Sequence, residues 1–300
     1  HRDLHSFPTR RSSDLWILAI SSIVWFATEA RNLGTQEPLI RIPGVLQRIA
    51  VCYFLASIIL FFTGVRGRIA WALGLVIGYW ILARHLSLPE DFSPKGTHAD
   101  GFLHEWFDFK YLGNNVYKER PDPEGIFSTM PAIASTLAGV LCGSWLKAKS
   151  NYERISGMFV VGSLLIFLGI CMDYSFPINK KIWSSSYVVF STGMALHFLA
   201  LSIYLIDMKG YKKWSYPFLV FGTNPILVFF ASGMLARIMY MAKVTNKDGD
   251  IVTFKQWIYD SWFASSFEPI NASLFFAITY VIFWFLITLP LYRKRIFVKI

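Results

Sequence analysis

The sequence predicts an all-α membrane protein, a polytopic bundle of about eight transmembrane helices with a cytoplasmic C-terminus. Three observations carry that reading. Hydrophobic residues make up 54% of the 300-residue chain and charged residues only 16%, and the mean hydropathy is +0.44, outside the range of soluble domains. The apolar residues gather in runs near the length a helix needs to cross a hydrocarbon core with every backbone polar group satisfied within the span. The basic residues, behind a net charge of +10, cluster between those runs instead of lining one solvated face. Charge of this pattern sets topology and excludes a nucleic-acid-binding class. Cys52, Cys142 and Cys171 all lie inside apolar runs, which excludes a disulfide scaffold and a CxxC metal or redox pair.

The first fifteen residues, HRDLHSFPTRRSSDL, are polar and aperiodic and stop abruptly against Trp16-Ile17-Leu18. They resemble one reading frame of a sequencing-library adapter, so residues 1–15 are expected to be non-native and the native chain to extend upstream of Trp16. Residues 16–300 then read as one transmembrane domain. Its spans are a shortened 16–28, then 45–62, 69–86, 125–146, 155–172, 183–206, 216–239 and 271–292. Orientation follows from the short loops. Arg66 and Arg68, Lys147, Lys149 and Arg154, Lys209, Lys212 and Lys213, and the tail Arg293, Lys294, Arg295 and Lys299 fall on one side, against Arg31, Arg41, Lys180 and Lys181 on the other. The two long connections, about 87–124 and 240–270, are therefore expected outside. In the second, Phe254, Trp257, Ile258 and Trp262 recur at helical spacing and predict an interfacial helix lying on the membrane surface. No internal repeat suggests a transporter's symmetry.

Polar residues within or beside the spans are the candidates for function, because each is costly in lipid. Gln47 and Arg48 follow Pro43-Gly44 at the start of a span. Arg48 reads either as a cation facing a cavity that takes an anionic or polar group, or as an ordering ion pair. Asp122 and Glu124, in Pro121-Asp122-Pro123-Glu124-Gly125, stand at the mouth of the next span but one. They would cap its free N–H groups, or bind or deprotonate an amine or hydroxyl acceptor. Asn179, Lys180, Trp183 and Ser185, in the run 177–187, suit a sugar or a phosphate-bearing ligand, or form an aromatic belt with anchoring lysines. Asn224 precedes Pro225, which lacks an N–H and so breaks the helix at the Phe221 carbonyl; Asn224 is either interhelical glue or a cavity-lining donor. His197, alone in its span, reads as an interhelical hydrogen bonder. His85, His98 and His104 have no metal-ligand spacing, and no metal site is expected.

The runs Arg41 to Ala50, Asp122 to Gly125, Asn179 to Val188, Pro217 to Asn224 and Leu291 to Phe297 occur in one order along 16–300. Together they resemble the bacterial relatives of heparan-α-glucosaminide N-acetyltransferase. That resemblance implies a multi-helix acyltransferase of the bacterial inner membrane, multi-pass in the lipid bilayer. It would take acetyl from cytoplasmic acetyl-CoA, as co-substrate, to the amine of an external amino sugar or oligosaccharide of glucosamine type, and family analogy favours a homodimer. In that setting Glu124 or Asp122 would orient the amino sugar, while Arg48, Asn179 and Lys180 would serve the carbonyl or the CoA side. The family's catalytic histidine lies in an early helix-loop segment rich in Trp, Asn and Gly, and no such segment occurs here. His104, in Leu103-His104-Glu105-Trp106, stands elsewhere in the chain, so the chain as written is expected to be an inactive piece lacking its first spans. The competing readings are a membrane transporter of a sugar or small anion and a non-enzymatic interaction protein.

Overall fold

A computed structural model describes residues 42–86, 89, 102–113, 116, 121–148, 151–246 and 249–298. The expected first span, the adapter-like leader and most of the connection from 87 to 124 lie outside the described residues. Those described form two compact units divided after Lys209. Each is built mainly from helices.

In the first unit, α1 spans Val45–Phe62, α2 Val65–His85, α3 Phe102–Leu112, α4 Ile126–Ala148, α5 Asn151–Asp173 and α6 Ser185–Ile203, which continues as a π-helical turn Tyr204–Met208. Helix α1 begins after Pro43 and Gly44, whose extended backbone lets the Gln47 side chain fold back over it. It ends at Thr63, whose N–H donates to the Ile59 carbonyl at 3.0 Å. Across the short turn, the Arg68 guanidinium donates to the carbonyls of Thr63 at 3.1 Å and Leu60 at 3.2 Å. A cation thus covers the negative end of α1. Helices α1, α2 and α4 share a core of Cys52, Ala56, Ala132, Ile133 and Leu137, with Ala72 and Leu75 against it.

Helices α5 and α6 pack as a close antiparallel pair. A Cβ on Gly193 would stand 2.7 Å from the Gly162 carbonyl oxygen and 2.8 Å from the Ile166 backbone nitrogen. Only small residues permit that approach, the packing mode that replaces the hydrophobic effect between helices in lipid. Alternation of these helices puts Arg66, Arg68, Lys147, Arg154 and Lys209 at one end of the unit. The ends facing α3, Asp122 and the turn before α6 lie at the other.

The second unit begins with a 3₁₀ turn Lys213–Ser215 and α7, Tyr216–Thr223, followed by α8, Pro225–Met241, bent from it by 74°. The expected break is present. Phe221, deprived of its helical donor by Pro225, accepts from the Asn224 N–H at 3.2 Å. A two-stranded antiparallel hairpin follows, β1 Lys243–Thr245 against β2 Ile251–Thr253, with Val244 opposite Val252. The helical periodicity of 254–262 is then realised as α9, Phe254–Tyr259, running into a π turn Asp260–Ala264. Thr253 caps it, its hydroxyl accepting from the Gln256 N–H at 3.2 Å. Helix α10, Pro269–Arg293, completes the unit.

Among the described residues, six helices are long and apolar enough to cross a membrane, or seven spans if the bent pair is one. They correspond to the second through eighth of the expected runs. Only 11 to 39% of the residues in those windows are buried inside the protein. Large apolar side chains such as Phe61, Phe167, Phe198 and Ile282 therefore point outward, as lipid-facing helices require. The protein is an all-α polytopic membrane protein.

Candidate functional site

The end of the first unit remote from its basic loops carries a buried polar cluster, and α1 supplies its cation. Arg48 lies one turn into the helix and reaches across to the start of α4. Its Nη1 donates to the Pro123 carbonyl and its Nη2 to the Ser128 carbonyl at 2.5 Å. The guanidinium plane lies over the Trp183 ring, 4.7 Å from its centroid. Trp183 adopts a left-handed backbone, φ 52°, a conformation costly for a bulky residue unless its surroundings hold it. Here the hold is visible: its indole N–H donates to the Ser135 hydroxyl at 3.1 Å. Arg48 is thus sandwiched between two carbonyls and an aromatic face, which a planar guanidinium fits and an ammonium does not.

The segment before α4 brings the carboxylates. Asp122 is buried, and its Oδ1 accepts from the Glu124 N–H at 2.9 Å. Glu124 is half-buried within electrostatic reach of Arg48. A third carboxyl comes from α3. Asp108, 2% exposed, accepts the Ile126 N–H at 2.8 Å on Oδ1 and so caps α4 from a separate helix. Its Oδ2 lies against Gly125, where any Cβ would collide with it. The Asp108 carboxyl is raised from its ordinary 3.8 to about 7, because burial, helped by nearby Asp122, outweighs the Ile126 and Phe127 N–H groups and Arg48, which favour the ionised form.

One turn earlier on α3, His104 is 1% exposed. Its Nε2 shares a hydrogen bond with the Tyr79 hydroxyl of α2, and that hydroxyl also reaches the Ile182 carbonyl at 2.5 Å. A carbonyl only accepts, so the arrangement that satisfies both contacts has Tyr79 donating to Ile182 and His104 donating from Nε2. Phe127 and Phe176 pack around the pair.

Of the residues singled out from sequence, the structure thus gathers Arg48, Asp122, Glu124 and Trp183, with Gln47 beside Arg48 on α1. Asn179 and Lys180 lie in the adjoining turn. The Asn179 Oδ1 accepts from the Lys181 N–H at 2.9 Å and shapes that turn, while Lys180 is exposed. Ser185 is fully buried, donating to the Val76 carbonyl at 2.7 Å, and locks α6 to α2. Asn224 belongs to the second unit. Its Nδ2 donates to the Ile296 carbonyl at 3.1 Å and its Oδ1 accepts from the Val298 N–H at 2.8 Å, fastening the tail to the helix break. His197 meets the Ser163 hydroxyl of α5 at 3.2 Å. Among the described residues, no three His, Cys, Asp or Glu side chains converge as a metal-ligand group.

Sequence reasoning passed over Asp108 and Tyr79 and set His104 aside. Its available signal was the i, i+4 spacing of His104 and Asp108 within an aromatic run, one face of a helix inside what reads as a loop.

No protein-family model matches the chain. It is similar to the heparan-alpha-glucosaminide N-acetyltransferase of Homo sapiens, 26% identical over 87% of this chain and 44% of that protein. The Mus musculus protein of the same name is 25% identical over 87% of this chain and 45% of its own length. The chain therefore spans under half the length of these curated relatives, and its similarity to them runs through most of both helical units.

Proposed function

We propose that this chain is part of a membrane acyltransferase that moves an acetyl group from acetyl-CoA to the amine of a glucosamine-type sugar outside the cytoplasm, in a bacterial inner membrane. The single observation that supports this most is the Arg48 cluster, taken with the similarity to two N-acetyltransferases. It sets a fixed cation, Asp122, Glu124 and Asp108 at one end of a helical bundle. Amine acetylation needs both signs of charge. Carboxylates attract and deprotonate an ammonium, and a cation stabilises the oxyanion that develops on the thioester carbonyl. Glu124 is the residue we assign to holding the amino sugar, and Arg48 the one assigned to carbonyl charge or to an anionic part of the donor. The acetyl-CoA substrate and any second copy of the protein enter through this same reading.

The test is acetyl transfer by the full-length protein in proteoliposomes, with labelled acetyl-CoA on the side of Arg66 and glucosamine on the side of Lys110. Glu124→Gln and Arg48→Ala are each expected to lower the rate by about 100-fold, in the range typical of positioned acid–base and charge-stabilising groups. Unchanged transfer by both variants would overturn these roles. The bent α7–α8 pair is the feature a transporter would share. Sugar flux without consumption of acetyl-CoA would favour that reading.

A further inference from the structure

We infer that the basic end of the second unit is a binding site for the headgroup of an anionic phospholipid, built by two segments far apart in sequence. Lys212 and Lys213 precede α7, while Arg293 closes α10 and Lys294 and Arg295 follow it. The Tyr216 and Tyr292 rings meet edge to face, 5.7 Å between centroids, and bring the two basic groups to one end of the unit. All five basic side chains are exposed. No acidic residue occurs in 208–247 or 269–300, so neither segment carries a carboxylate to neutralise them. This binding is separate from acetyl transfer and does not depend on it.

Topology alone requires only that cations fall in a short loop, wherever their side chains stand. Here their positions are fixed, in two places against local preference. Lys212 and Lys213 stand ahead of the N-terminus of α7, where the helix dipole repels a cation and attracts an anion. Arg295 holds the left-handed position, φ 53°, of the turn that ends α10. Its N–H donates to the Tyr292 carbonyl at 3.0 Å, and the Ile296 N–H to the Leu291 carbonyl at 2.9 Å. That pairing ordinarily closes on glycine, which has no Cβ to strain. The Asn224 bonds to Ile296 and Val298 then hold the tail beyond the turn. A phosphodiester beside these groups supplies the missing negative charge.

The apolar surroundings identify its source as lipid. Trp214, Phe218 and Leu219 around the start of α7, and Ile296 and Phe297 in the tail, are large apolar side chains left exposed. With the cations at the same end, they make a surface charged for headgroups and apolar beside them. A soluble phosphate would meet the cations and leave the rings uncovered. The positive-inside bias puts this end at the cytoplasmic leaflet, which carries anionic lipid.

The experiment uses the full chain with its three cysteines replaced by serine, reconstituted in phosphatidylcholine vesicles. A bimane label is placed on Phe218→Cys, beside the site, or on Ile270→Cys, at the other end of α10. Doxyl-labelled phosphatidylglycerol and doxyl-labelled phosphatidylcholine serve as quenchers. Phosphatidylglycerol is expected to quench the label at 218 at least about threefold more effectively than phosphatidylcholine, and both lipids to quench the label at 270 alike. Combining Lys212→Gln, Lys213→Gln, Lys294→Gln and Arg295→Gly should bring the ratio at 218 to about one. Asn224→Ala keeps every cation and frees the tail, and should remove at least about half of the preference. Equal quenching by the two lipids at 218, or the same preference at 218 and 270, overturns the site. An unchanged preference in Asn224→Ala overturns it too, because the attraction would then be diffuse charge. If inorganic phosphate abolishes the preference and chloride at the same ionic strength does not, the cations serve a soluble phosphate and the lipid assignment falls. Should the combined charge variant insert in the opposite sense, Asn224→Ala carries the test with its charges intact.

Discussion

Arg48 shows how a single side chain joins three segments far apart in sequence. It anchors the Pro123 and Ser128 carbonyls and the Trp183 ring at once. Lysine has neither the fork nor the plane for this. Arg48→Lys is therefore expected to destabilise the protein by about 2 kcal/mol, since at least one buried carbonyl loses its donor. Thermal unfolding in detergent micelles checks this. Asp108 has the opposite character, because it costs stability when ionised. Burial raises its carboxyl to about 7, so between the ordinary 3.8 and that value the folded protein holds a proton that the unfolded chain has released. Its contribution is most favourable below about pH 4, is lost progressively as pH rises to about 7, and changes no further above that. Asp108→Asn keeps an oxygen for the Ile126 N–H and cannot ionise. We expect a higher melting temperature than wild type at pH 8, no gain at pH 4, and a flatter slope between. A variant melting lower than wild type at pH 8 would contradict this sign.

At the scale of elements, close packing and capping decide which contacts tolerate change. The α5–α6 pair meets where Gly193 faces the Gly162 carbonyl and the Ile166 backbone. Gly193→Val would force the helices apart, and about 1–3 kcal/mol of stability should be lost. Gly233→Ala is the control: nothing lies within 4 Å of a Cβ there, so helix propensity should leave it neutral or slightly stabilising. In the second unit, Asn224 holds the tail by two hydrogen bonds to Ile296 and Val298. Asn224→Ala should leave α7 and α8 formed and release residues 294–298, seen as faster limited proteolysis of the C-terminus. Sequence made the break at Pro225 legible because proline's missing N–H is a local fact. It did not reveal that Asn224 would be spent on the tail, 72 residues away.

For the whole molecule, the distribution of charge predicts sidedness. The Arg48–Asp108 cluster and the basic loops occupy opposite ends of the first unit, and the positive-inside bias assigns the loops to the cytoplasm. With the three native cysteines replaced by serine, cysteine introduced at Lys110 should react with an impermeant maleimide from outside the cell. Cysteine at Arg66 should react only after the membrane is opened. Both positions are exposed, so the reverse pattern would invert the assigned topology.

Seven helical runs could be read directly from the sequence because membrane insertion depends on composition over about 20 residues, a local property. Their boundaries shifted by only a few residues, as with 69–86 against Val65–His85. Arg48, Asp122, Glu124 and Trp183 were legible for a related reason: polar or aromatic groups at a span's end stand out against an apolar background. The α3 helix and the hairpin before α9 were not legible, since short elements outside the spans take their form from what they pack against. The burial of Asp108 was hidden in the same way. An aspartate inside an aromatic run between two spans is unremarkable in sequence, and only the tertiary structure closes α3 over the start of α4, removes the water and leaves one carboxyl oxygen facing Gly125. Composition alone determined that this chain lives in a membrane as helices; desolvation, which depends on residues distant in sequence meeting in space, decided which of its charges are held away from water.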